Sequence, residues 1–84
     1  MKFNEFIQEI KEALLDCGFD SERANEKSQS FRGLWISESE HPEPINCVKT
    51  VLLREPSVIY KASQLKKWKK YGVKVNLNNA YAKD

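Results

Sequence analysis

Three glycines and three prolines punctuate this 84-residue chain so closely that no regular element can run far. Gly18, Gly33 and Gly72 stand where helices are expected to stop, Pro42 and Pro56 where they are expected to break, and Pro44 where one can begin. Between these stops the apolar residues recur at helical spacing. A chain of this length buries only about 60–65% of its unfolded surface, so one domain with one modest core is expected.

The first helix is expected over 4–17. Phe6, Ile7, Ile10, Ala13, Leu14 and Cys17 share its inner face, and Asn4 is placed to cap it. Glu5, Glu9, Glu12 and Asp16 fall on the solvent side. Gly18 suits a left-handed stop, with Phe19 positioned for the apolar contact that follows one. Asp20 or Ser21 opens a second helix, thin in apolar residues (Ala24, Phe31, Leu34) and ending at Gly33. Residues 34–36, Leu-Trp-Ile, read as a short strand. The run 37–44, SESEHPEP, is a loop, and Pro44 suits the first turn of a third helix over 45–54, with Ile45, Val48, Val51 and Leu52 inward.

After the break at 55–57 comes the most distinctive stretch, 57–77, SVIYKASQLKKWKKYGVKVNL. It reads as a helix over 57–71, a glycine stop and a strand over 73–77. Val58, Ala62 and Leu65 keep helical phase on one face, with Trp68 at its flank, open to either core or contact. Tyr60, Gln64, Lys67 and Tyr71 line the other, with Ser63 and Lys70 beside them. An alternative parse makes 58–60 a strand and starts the helix at Ser63. The expected core is Phe6, Ile10, Leu14, Phe31, Val48, Leu52 and Leu65. The fold class is therefore mainly α, four helices with a small two-stranded β element. It is organised as an acidic helical half (1–36), a loop (37–44), a basic half (45–77) and a polar tail (78–84).

Charge divides along the same line. Residues 1–44 carry ten acidic and five basic groups, whereas residues 45–84 carry nine basic groups against Glu55 and Asp84. Such asymmetry suggests a directed electrostatic surface, unless the two halves neutralise one another across the fold. Six lysines and no acid lie within 57–77. Lysines in such a stretch can replace counterions along a phosphate backbone, or form a solvated face with stems laid on the core.

Catalytic signals are weak. His41, in the loop, is the one histidine, and no phosphate-loop, serine-nucleophile or zinc-protease motif occurs. Cys17, His41 and Cys47 lack zinc-ligand spacing. Glu38, Glu40 and Glu43 read as a solvated loop rather than a cation site. Neither an enzyme nor a cofactor or metal is expected. Both cysteines fall on apolar helix faces, so buried, reduced thiols in a cytoplasmic setting are expected, with no signal-peptide or membrane segment.

A short helix (45–54), a tight turn, a longer basic helix and an extended segment resemble the end of a winged helix-turn-helix domain over 34–77. The resemblance implies that 57–71 is the recognition helix, 73–77 the wing-side strand and 34–36 the small strand before the supporting helix. It implies a small DNA-binding regulator of transcription or replication. The expected contacts to duplex DNA are Tyr60, Lys61, Ser63, Gln64, Lys66, Lys67, Lys70, Tyr71 and Lys74. Gln64 and Ser63 suit base edges, and Tyr60, Trp68 and Tyr71 suit stacking on unpaired bases. The alternative is a small inhibitor, adaptor or immunity-type protein docking its basic half on an acidic protein surface. A homodimer pairing opposite halves fits the same charges.

Overall fold

The computed structural model describes residues 2–37 and 41–79. Helix α1 (Phe3–Asp16) is the central element, and α2 (Ser21–Gln29) and α4 (Pro44–Leu53) both pack on it. Helix α3 (Arg32–Ser37) follows α2 after a two-residue turn, and α5 (Ala62–Trp68) comes late in the chain. Single 3₁₀ turns occupy Ser57–Ile59, Lys69–Tyr71 and Leu77–Asn79.

Two glycines behave as their positions require. The Gly18 and Phe19 amides donate to the Leu15 and Leu14 carbonyls at 3.1 and 3.0 Å, the paired bonds of a Schellman cap on α1. Gly18 takes φ 103° and Gly72 takes φ 77°, both in the left-handed half of conformational space. Asp20 caps α2 by accepting from the Arg23 amide at 2.7 Å. Asn4 does not cap α1, which begins one residue earlier, and Glu5 accepts from the Lys2 amide at 3.4 Å.

Phe6, Ile10 and Leu14 of α1, Val48 and Leu52 of α4, and Leu65 of α5 form the centre of the core. Phe31 packs at its edge, half-buried. Ile45 is exposed; Cys47 takes the inward place beside Val48. The small buried pair Ala24 and Ser28, one turn apart, lets the thinly apolar α2 lie close on α1. The Ser28 hydroxyl is satisfied locally, donating to the Asn25 carbonyl at 2.8 Å.

Three expectations are corrected. First, no strand occurs among the described residues, so the expected two-stranded element is not seen there. Residues 34–36 belong to α3, because Gly33 has no positive φ and does not stop a helix. The helical turn swings Trp35 onto Phe6, with ring centroids 4.7 Å apart, and Phe3, at 6.0 Å. Second, residues 73–76 are neither helical nor paired in a sheet, although Val73, Val75 and Leu77 do face the core. The period of two records one-sided burial, not a sheet.

Third, 57–71 is not one helix. Tyr60 sits at φ −111°, ψ 150°, extended backbone that separates the 3₁₀ turn Ser57–Ile59 from α5. In unbroken helical phase Tyr60 would face solvent; the break turns it inward, leaving it 3% exposed, while Val58 and Ile59 move out to 50% and 49%. The start of α5 is nearer the alternative parse. Of the 37–44 loop, residues 41–43 are non-helical, Ser37 ends α3, and 38–40 lie outside the described residues. The tail begins inside a 3₁₀ turn, and 80–84 lie outside the described residues.

This core predicts that Leu14→Ala or Leu52→Ala lowers the unfolding free energy by about 2–5 kcal/mol in denaturant titrations. Gly18→Ala is expected to lower it by about 1–3 kcal/mol. A Cβ there meets the Gln64 side chain at 2.6 Å as well as an unfavourable φ.

Candidate interaction surface

The nine residues expected to meet a polyanion divide sharply. Tyr60 is in the core, its ring 4.9 Å from Trp68 and 5.7 Å from Phe19. Its hydroxyl donates to Glu55 at 3.0 Å and accepts from Arg23 at 3.1 Å. Gln64 is half-buried, accepting the Lys61 amide at 2.9 Å at the start of α5. Lys67 and Lys70 both donate to Asp16, at 3.0 and 3.4 Å. Those bonds, led by Lys67, hold the Asp16 carboxyl below its ordinary range. Tyr71 is half-buried against the core, and burial pushes its phenol up. Lys61, Ser63, Lys66 and Lys74 are exposed. Trp68 belongs to the core, its indole N–H donating to the Cys17 carbonyl at 2.9 Å.

Glu55 governs the sign of the surface. It is the sole acid between residues 44 and 79, and its side chain is 7% exposed. Arg23 reaches it from α2, its Nη2 donating to both carboxylate oxygens at 2.5 and 2.6 Å, a charge-assisted contact, while its Nη1 is given to Tyr60. These bonds, with that to Tyr60, raise the Arg23 pKa further. The Arg23 guanidinium also lies 4.9 Å over the Phe19 ring. With Glu55 held inside, the exposed charges of the C-terminal half are all cationic among the described residues. Lys49, Arg54, Lys61, Lys66, Lys69 and Lys74 are exposed there and make no ion pair.

Two parts of this surface escaped the sequence reading. Lys49 on α4 reaches the Gly72 turn, its ammonium 3.4 Å from where a Cβ on that glycine would stand, which joins it to the later lysines. Leu53 at the end of α4, and Val58 and Ile59 in the following 3₁₀ turn, are exposed apolar side chains, at 63%, 50% and 49% exposure. Leu53 lies outside the inward set of α4, a signal readable in the sequence. Val58 and Ile59 became legible only once Tyr60 had turned in.

Among the described residues, no three His, Cys, Asp or Glu side chains come together to hold a metal ion. Glu38 and Glu40 lie outside the described residues, and Glu43 is exposed. Cys17 and Cys47 are free and buried. Burial raises both thiols, that of Cys17 to about 11. No helix among the described residues is long and apolar enough to cross a membrane. Comparison with protein-family models, with curated proteins and with solved structures finds no match.

The Arg23–Glu55–Tyr60 network predicts that Glu55→Ala lowers stability by about 1.5–3 kcal/mol, since a guanidinium and a phenol lose their acceptor. Alkaline pH supplies a second check. The folded chain holds Cys17 near 11 and Tyr60 near 12, against ordinary values of 9.0 and 10.0. Both groups are raised, so their stabilising contribution is complete below pH 9 and is lost as pH rises toward 12. Denaturant titrations across that window should show falling stability, and Tyr60→Phe should flatten its upper part.

Proposed function

We propose that this chain is a small non-enzymatic binding domain that docks its basic half on an acidic protein surface, in the manner of an inhibitor or adaptor. The observation that carries this reading is that, along residues 53–61, exposed apolar side chains alternate with unpaired cations. Arg54 sits between Leu53 and the inward-held Glu55, and Lys61 follows Val58 and Ile59 by two residues. Apolar side chains ringed by one sign of charge suit a protein partner, whose anchors fill apolar contacts while its carboxylates set orientation. They gain little against a phosphate backbone. The free, buried thiols are consistent with a cytoplasmic setting.

Duplex DNA is the second reading, favoured by the exposed and unpaired Lys61, Lys66 and Lys74. Those lysines support sequence-independent attraction that falls with salt. Base readout has less support. Gln64 is engaged as a cap, Lys67 and Lys70 face Asp16, and the seven residues of α5 span only about 10 Å.

Titrations against poly-glutamate, a random copolymer of glutamate and tyrosine, and a mixed-sequence duplex separate the readings. The copolymer is expected to bind at physiological salt, and Leu53→Asp to weaken it by about 1–2 kcal/mol. Poly-glutamate and duplex should bind only at low salt. Duplex binding tighter than about 100 μM at physiological salt, lost in a Lys61→Glu, Lys66→Glu, Lys74→Glu variant but not in Leu53→Asp, would favour DNA instead.

A further inference from the structure

Helices α2 and α4 both lie on α1 but scarcely touch each other, which leaves a cleft of about 380 Å³ between their C-terminal ends. Phe31, half-buried, and Val51, buried, give it an apolar lining. Lys27 borders it from α2, and Arg54 from α4. Neither cation makes an ion pair among the described residues. Glu55 stands among the lining groups, but its carboxylate is already engaged by Arg23 and Tyr60. The unbalanced charge of the cleft is therefore positive.

We infer that this cleft receives an apolar side chain of an acidic peptide segment, with the flanking carboxylates paired to Lys27 and Arg54. The inference rests on the reading that the partner is an acidic protein surface, and it names the feature of that partner. The volume lies at the low end of ligand-sized pockets, roughly 300–1,000 Å³, and an apolar floor with a few placed polar groups is their usual lining. Cations at helix C-termini are favourable in themselves. What sets these two apart is that they belong to different helices and border one apolar-lined space. Arg54 offers a planar fork to a carboxylate, and Lys27 a point charge to a second one.

The test uses the full chain, isotope-labelled, titrated with three capped tripeptides: Glu-Phe-Glu, Glu-Ala-Glu and Gln-Phe-Gln. Glu-Phe-Glu is expected to give saturable amide shifts confined to residues 27–31 and 50–55. Replacing its Phe by Ala, or both Glu by Gln, should weaken binding by about tenfold or more. Lys27→Gln with Arg54→Gln should do the same. So should Thr50→Trp, which fills the cleft from an exposed position and so keeps the fold. Absence of shifts at these amides, equal binding of the Gln peptide, or indifference to both variants would overturn the inference. Copolymer binding that depends on Leu53 but not on Lys27, Arg54 or Thr50 would sink the cleft while leaving the docking function intact. If neither the copolymer nor Glu-Phe-Glu binds, the docking function and the inference fall together.

Discussion

The side chain of Glu55 decides more of this structure than any other polar group. It follows α4 at the start of a turn, largely removed from water, and a buried carboxylate must find charge and donors there or destabilise the fold. Arg23 supplies the charge from α2, and Tyr60 supplies a further donor. The bond to Arg23 ties the acidic half to the basic half across 32 residues of chain. The bond to Tyr60 turns a tyrosine inward that helical phase would leave outside. Once inside, Tyr60 packs edge-to-face on Trp68 and tilted against Phe19, and the backbone at Tyr60 and Lys61 has to extend to permit it.

The surface follows from this interior arrangement. A single acid withdrawn from the C-terminal half leaves that half cationic, and a helix broken at Tyr60 leaves Val58 and Ile59 outside, as Leu53 is. The two halves do neutralise each other, but locally. Asp16 meets Lys67 and Lys70 at the end of α1, an exposed arrangement of the kind worth roughly 0–1 kcal/mol per pair. The Glu5, Glu9 and Glu12 side chains stay on the solvent side of α1. The separation of charge visible along the sequence thus persists in three dimensions at its extremes.

Local signals were legible at several positions where one residue type answers one backbone need, though Asn4 caps nothing and Gly33 stops no helix. Gly18 and Gly72 mark left-handed stops, Asp20 marks a cap, Pro44 marks a first turn, and the spacing of Phe6, Ile10 and Leu14 marks a buried face. Signals that depend on a distant partner were not. Leu34, Trp35 and Ile36 have strand-like side chains, yet a strand needs a neighbour, and Trp35 found Phe6 through a helical turn instead. Val58 keeps phase with Ala62 and Leu65, but the larger ring of Tyr60 and its bonds to Arg23 and Glu55 outweigh that pattern. Nothing within 57–71 announces Arg23. The candidate surface suffered the same way: Lys67, Lys70 and Tyr60 read as contacts because Asp16 and Arg23, their partners, lie far off in sequence, and only Glu55, for Tyr60, and Lys61, for Gln64, are near.

The central claim is that Tyr60 turns inward to Glu55 and Arg23 and divides the 57–71 segment. Solution NMR of that segment tests it most directly. The account predicts extended-backbone carbon shifts at Tyr60 and Lys61, helical shifts from Ala62 to Trp68, and cross-relaxation from the Tyr60 ring to Phe19 and Trp68. Uninterrupted helical shifts from Ser57 to Tyr71, with a solvent-exposed Tyr60 ring, would contradict it.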